Sequence, residues 1–98
     1  MKTRKKSRPR PAPGAAELAR RYEAQVVEIK SVLARGLRRR RAAGKLSQGR
    51  LAARLGSSQS RISKLEAGDP SVSLDLFFRA LFAAGASRGE IARAMGSV

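Results

Sequence analysis

The sequence contains no cysteine and no histidine. The first absence excludes disulfide bonds and thiolate metal sites. The second excludes imidazole zinc ligands and acid–base catalysis by histidine. Only 7 residues are acidic, and they are scattered, so no carboxylate cluster for a metal is indicated. Because an enzyme would have few side chains to work with, we predict a protein that is not an enzyme and that uses no metal and no cofactor.

Long apolar runs are also absent from the sequence. None approaches the ~20 residues that a helix needs to cross a bilayer. The basic N-terminus is not followed by the apolar segment that a signal peptide requires. We therefore expect a soluble cytoplasmic protein that has no membrane partner.

Positive charge is abundant and unevenly placed. Lysine and arginine number 22, which gives a net charge of +15, and residues 1–50 hold 16 of them against 3 glutamates. Such a polycation attracts polyanions through the release of counterions. Nucleic acid is the leading expected partner and an anionic membrane surface the second. The plainer alternative is a charged tail that only aids solubility.

The 98 residues suffice for one small domain with two additions before it. Residues 1–14 combine six basic side chains with Pro9, Pro11 and Pro13, which predicts a flexible basic arm that follows a DNA backbone or enters a minor groove. Residues 15–35 predict an amphipathic helix. Gly36 is expected to break or kink that helix, and residues 36–98 are expected to form the domain.

The amphipathic helix has a narrow apolar stripe. Its members recur at spacings of four and three: Leu18, Tyr22, Val26, Ile29 and Leu33. Packing in the core is the ordinary explanation of such a stripe. The alternative is a surface for a partner, because the helix precedes the compact unit.

Two short helices joined at Gly56 form the most informative part of the chain. They are predicted over Gln48–Leu55, with Ser47 as N-cap, and over Gln59–Ala67, with Ser57 or Ser58 as N-cap. The second helix turns Ile62 and Leu65 inward. This is the layout of a helix-turn-helix, in which the second helix lies in a groove of duplex DNA.

The outward face of the second helix carries the residues expected to contact DNA. Glutamine pairs with adenine, arginine and lysine pair with guanine, and serine bonds to several bases, while small side chains let the helix enter the major groove. The first helix begins with free N–H groups that suit a phosphate oxygen. The predicted DNA-binding residues are Gln48, Gln59, Ser60, Arg61, Ser63 and Lys64.

Two further helices are predicted toward the C-terminus. Ser73 caps a helix over Leu74–Ala84 that is apolar nearly all round. Such a helix must be covered on more than one side, either by its own chain or by a second subunit. Ser87 and Glu90 have the spacing of a capping box, which predicts a last short helix.

These segments resemble the XRE family, the helix-turn-helix domains of the lambda-repressor and Cro type. The matching positions are Leu46-Ser47-Gln48, Leu51-Ala52, Leu55-Gly56, Ser58-Gln59-Ser60, Ile62-Ser63-Lys64-Leu65-Glu66 and Gly68. The resemblance implies an all-α fold: a five-helix DNA-binding domain, here with an extra N-terminal helix and a disordered basic arm. It also implies that Gln48 holds a backbone phosphate, that Gln59 reaches a base edge, and that Glu66 pairs with an arginine of the first helix. We expect that arginine to be Arg40.

Two positions depart from the family pattern. Arg50 stands where many relatives have an acidic residue, and Lys45 is one extra residue in the turn before Leu46.

A finer resemblance concerns the stretch from Glu66 to Leu74 and the phenylalanine-rich helix after it. These are similar to HigA-type antitoxins, small dimeric repressors encoded beside a toxin that cleaves RNA. The resemblance implies a homodimer that binds its own operator on double-stranded DNA and a toxin protein as a second partner. The alternatives are a free-standing phage-like regulator and a protein-interaction module that reuses the fold.

Overall fold

The computed structural model describes residues 14–96, and the regular structure of that range is helical throughout. The predicted all-α class is confirmed. The predicted arm, apart from Gly14, lies outside the described residues. The five helices are α1 (Ala15–Ala43), α2 (Gln48–Leu55), α3 (Gln59–Glu66), α4 (Leu74–Ala83) and α5 (Arg88–Gly96).

The first helix runs without interruption through Gly36, so the expected break there is wrong. The extra N-terminal helix and the first helix of the domain are one element of 29 residues. Glycine inside a helix costs about 1 kcal/mol relative to alanine. A Cβ at Gly36 would meet the Cβ of Ala94 at 3.8 Å, an ordinary van der Waals distance, so α5 does not require glycine here. On either side of it, Leu33 and Leu37 are fully buried in the core. Packing between helices therefore outweighs the cost of placing glycine inside a helix.

The predicted helix starts are confirmed by their hydrogen bonds. The hydroxyl of Ser47 accepts from the N–H of Arg50 at 3.1 Å, and Ser58, not Ser57, caps α3 in the same way. Ser73 caps α4. Before α5, the Ser87 hydroxyl accepts from the Glu90 N–H, and the Glu90 carboxylate accepts from the Ser87 N–H at 2.8 Å. The caps satisfy N–H groups that a helix end leaves open.

The first four helices all end in the same kind of turn. After α2, the N–H of Ser57 donates to Ala52 and that of Gly56 to Ala53, with Gly56 at a φ of 61°. This is the Schellman pattern, which needs one residue in the left-handed region. Glycine fills that place after α2, α3 and α4, but Lys45, at a φ of 53°, fills it after α1. Helices α3 and α4 each end one residue earlier than predicted.

The core lies where all five helices meet. Its fully buried side chains are Leu33, Leu37, Leu51, Ile62, Leu65 and Phe77. The apolar helix α4 buries Phe77, Ala80 and Leu81, so its own chain covers one side. On another side Phe82 stays 49% exposed.

Among residues 14–96, no helix is both long enough and apolar enough to span a membrane.

The lysine in the α1 turn gives a first prediction. A side chain in the left-handed region costs roughly 1–2 kcal/mol, and glycine avoids that cost. We expect Lys45→Gly to raise the free energy of unfolding by about 0.5–1 kcal/mol, measured by urea denaturation.

The control for this prediction is Lys45→Ala. It removes the same charge and keeps a Cβ in the left-handed region. An equal gain in both variants would show that the lysine charge, and not the backbone conformation, limits stability.

Candidate nucleic-acid interface

Helices α2 and α3 pack through their apolar sides and leave a polar surface outward. Ile62 and Leu65 are fully buried, as predicted. Five of the predicted contact residues share the exposed side of α3, and Gln48 is half-buried at the start of α2. The five are Gln59, Ser60, Arg61, Ser63 and Lys64. The structure thus brings all six predicted residues to two neighbouring helix starts and one helix face.

A buried carboxylate lies behind this surface. Glu66, the last residue of α3, is only 5% exposed. Its oxygens accept hydrogen bonds from the guanidinium of Arg41 on α1 and from Nε2 of Gln48 on α2, the latter at 3.0 Å. A buried charge needs such partners. Glu66 therefore ties α1, α2 and α3 together at one point.

The expected partner of Glu66 was Arg40, and this was wrong. Arg41 makes the ion pair through both Nε and Nη2. Arg40 instead donates to the carbonyl of Ala84 and lies 3.6 Å from the carboxylate of Glu90 on α5. Arg41 lies on the side of α1 that faces the end of α3, whereas Arg40, about 100° away around the helix, faces α4 and α5.

Three of the four consecutive arginines, residues 38–41, bind groups of the domain itself. In the structure Arg38 donates to the carbonyl of Glu66, and Arg40 and Arg41 hold α5 and α3. Arg39 is exposed. Most of this basic run therefore serves the packing of the domain.

Hydrogen bonding keeps Glu66 ionised despite its burial. Burial by itself raises the pKa of a carboxyl group. The hydrogen bonds from Arg41 and Gln48, together with the charges of Arg41 and Arg38, outweigh that effect and hold the pKa of Glu66 below its ordinary value. The same hydrogen bond raises the pKa of Arg41.

A chain of amides leads from Glu66 to the surface. Because Nε2 of Gln48 donates to Glu66, its Oε1 is turned outward and accepts from Nε2 of Gln59 at 3.5 Å. Gln59 then keeps its Oε1 and its second Nε2 hydrogen for a ligand. One donor beside one acceptor is the pattern that matches N7 and N6 of adenine.

The charged side chains of this surface are all positive. Residues 47–65 contain no aspartate or glutamate, and they contain Arg50, Arg54, Arg61 and Lys64. Arg54 donates to the carbonyl of Ala83 and so braces α2 against α4. The other three are exposed and leave a positive surface around the start of α3.

Sequence reasoning missed the bond between Gln48 and Glu66. The spacing along the chain carried no signal for it, because the contact depends on how α2 and α3 cross. Among residues 14–96, no group of three or more Asp, Glu, His or Cys side chains is placed to hold a metal ion.

The ion pair of Glu66 gives a second prediction. Its folded pKa is lowered, so its contribution to stability is present above the unfolded pKa of about 4.3 and is lost as the pH falls through the folded value. We expect Glu66→Gln to lower the free energy of unfolding at pH 7 by about 3 kcal/mol, because Arg41 loses its buried counter-charge. The loss of stability on acidification should become shallower, measured as melting temperature against pH.

The matched control is Glu28→Gln on the exposed part of α1. It should leave both the stability at pH 7 and the acid profile nearly unchanged. An equal effect of the two substitutions would show that net charge, and not the pair with Arg41, sets the profile.

Comparison with known proteins gives one match. Residues 37–81 match the family model described as helix-turn-helix. The matched segment contains α2, α3 and Glu66 and begins in the part of α1 that supplies Arg41. Neither the curated proteins nor the solved structures contain a match. The fold, the matched segment and the polar face of α3 agree: residues 37–81 form a helix-turn-helix domain of the XRE type, which supports a DNA-binding transcription regulator.

Proposed function

We propose that the chain is a sequence-specific transcriptional repressor that binds double-stranded DNA upstream of its own gene. Helix α3 lies in the major groove, with Gln59, Ser60, Arg61, Ser63 and Lys64 toward the bases. The repressor acts as a homodimer on a pseudo-palindromic site, with its two α3 helices about 34–36 Å apart in successive major grooves. It acts in the cytoplasm, on the nucleoid.

One observation carries this proposal. Gln59 stands at the exposed start of α3, with its amide oriented through Gln48 by the buried carboxylate of Glu66. An amide with a fixed donor and acceptor discriminates between bases, whereas a mobile amide side chain loses conformational entropy when it binds. The small side chains of Ser60 and Ser63 beside it let the helix approach the base edges.

Contacts to phosphates set the register on the duplex. The N-terminus of α2 offers free N–H groups beside Gln48, and Arg50 is exposed in the same helix. Phosphate contacts of this kind fix position without reading sequence. In the run of four arginines at residues 38–41, Arg39 is exposed while the other three donate to groups of the domain, so Arg39 is the one offered for such a contact.

The finer proposal is an antitoxin that represses its own operon. It is supported by the stretch from Glu66 to Leu74 that resembles HigA-type antitoxins. Phe82 and Met95 add apolar side chains, 49% and 38% exposed, that are separate from the predicted DNA contacts. An adjacent reading frame whose product cleaves RNA and co-purifies with this chain would support it. A monocistronic gene would favour the free-standing regulator.

A binding titration tests the proposed function. The full chain is titrated against duplex DNA from upstream of its own gene and against a shuffled duplex of the same composition, each at low and at physiological salt. A preference for the native duplex that persists at physiological salt supports the repressor. Equal binding that collapses as salt rises would show that charge alone acts.

Gln59 gives a third prediction. Its replacement by alanine removes a pair of hydrogen bonds to one base, worth about 1–3 kcal/mol of discrimination. We expect Gln59→Ala to relax base preference at one position of each half-site, measured by competition among single-base operator variants. Gln25→Ala, the same substitution on an exposed turn of α1, should leave every preference unchanged. A uniform loss of affinity in Gln59→Ala would contradict a base contact.

The N-terminal segment gives a fourth prediction. Residues 1–12 carry six basic side chains. If they contact phosphates, their deletion should weaken binding to every duplex and reduce the slope of log affinity against log salt by up to about 5. The slope is measured by titration at several salt concentrations. An unchanged slope would identify the segment as an aid to solubility.

A further inference from the structure

The apolar stripe of α1 extends beyond the domain. Its members follow one another at spacings of 3, 4, 4, 3, 4 and 4, which is an 11-residue repeat. Such a repeat stays close to the 3.6-residue turn of a straight helix, so the stripe keeps to one side along its whole length. The members are Ala15, Leu18, Tyr22, Val26, Ile29, Leu33 and Leu37.

The two ends of this stripe have opposite surroundings. Leu33 and Leu37 are fully buried in the core. Every residue from 16 to 28 is exposed, including Tyr22 at 60% and Leu18 at 44%. A contiguous apolar face on an exposed helix marks an interaction surface. We call residues 15–28 the free half of α1.

The charge of the free half differs from that of the rest of the chain. Residues 15–28 hold Glu17, Glu23 and Glu28 against Arg20 and Arg21, while the whole chain carries +15. A face that bound DNA would be expected to carry an excess of positive charge. Two copies of a strongly cationic chain repel each other, except through a segment that carries both signs.

We propose that the free half of α1 pairs with the free half of a second copy in antiparallel orientation. A two-fold axis at Tyr22 places Tyr22 against Tyr22 and Leu18 against Val26 of the other copy. An aromatic side chain then lies at the centre of the interface, where such residues contribute most. A parallel pair would bring the six basic residues before Ala15 of both copies together.

This orientation places both recognition helices on one side of the dimer. The end of α3 is held on α1 by Ala34, Arg38 and Arg41. At about 100° per residue, these lie roughly a third of a turn from the stripe. In an antiparallel helix pair the two-fold axis is perpendicular to both helices and points a quarter of a turn away from the stripe. Rotation about this axis keeps each α3 on the side to which the axis points, so the two copies of α3 lie on the same side of the pair.

The spacing also fits duplex DNA, and this step rests on the proposed function. Ala34 is twelve residues from Tyr22, which is about 18 Å along a helix. Measured along the helix axis, the two Ala34 positions are therefore about 36 Å apart, close to the 34–36 Å between successive major grooves. With fewer than the 20–30 residues that a standard interface uses on each side, the contact belongs to the small class that dissociates readily.

The experiment compares Tyr22→Glu with Ala24→Glu. Both add one negative charge to an exposed turn of α1, but Ala24 lies on the opposite side from the stripe. Sedimentation equilibrium of the full chain over a range of concentrations gives the mass. We expect the wild type and Ala24→Glu to approach twice 10.5 kDa and Tyr22→Glu to remain near 10.5 kDa. Circular dichroism confirms that α1 is intact.

The same variants are titrated on duplexes with one and with two half-sites. Tyr22→Glu should bind a single half-site as the wild type does and lose the added affinity for the pair. A wild type that stays monomeric at all concentrations, or a dimer that Phe82→Glu disrupts and Tyr22→Glu does not, would overturn the proposal. Absence of base preference in a stripe-dependent dimer would instead overturn the repressor function and leave the interface standing.

Discussion

The buried carboxylate of Glu66 is the constraint on which the rest of the structure depends. It ends α3, and it takes hydrogen bonds from Arg41 of α1 and Gln48 of α2. A charge in this position is tolerated only while its partners stay in place. The pair therefore fixes how three short or amphipathic elements cross, in a domain whose core is too small to do so by packing alone.

The same carboxylate links stability to recognition. Through Gln48 it orients the amide of Gln59, which is the first residue of the exposed face of α3. The basic residues accordingly fall into two groups. Arg38, Arg40 and Arg41 bind carbonyl and carboxylate groups of the domain. Arg50, Arg61 and Lys64 remain exposed around α3. Net charge alone does not tell these groups apart.

Local chemistry in the sequence predicted much of this architecture. Serine caps and the glycine after α2 fixed the start and end of the two central helices, because capping depends on residues only a few positions apart. The partner of Glu66 and the continuity of α1 through Gly36 were wrong for the opposite reason. The first depends on which side of α1 faces the end of α3, and neighbouring residues differ by about 100° in direction. The second depends on the burial of Leu33 and Leu37, on either side of Gly36, in the core. Packing in the core, the ordinary interpretation of the α1 stripe, holds for Ile29 and Leu33 but not for the exposed Leu18, Tyr22 and Val26.

The central claim is that the starts of α2 and α3 form the surface that meets DNA. A titration of isotope-labelled protein with an upstream duplex, followed by two-dimensional nuclear magnetic resonance, tests it most directly. The account predicts that amide shifts change most at Ser47–Gly49 and Ser57–Lys64. Changes confined to the arginine run of α1, or spread evenly over the basic residues, would contradict it.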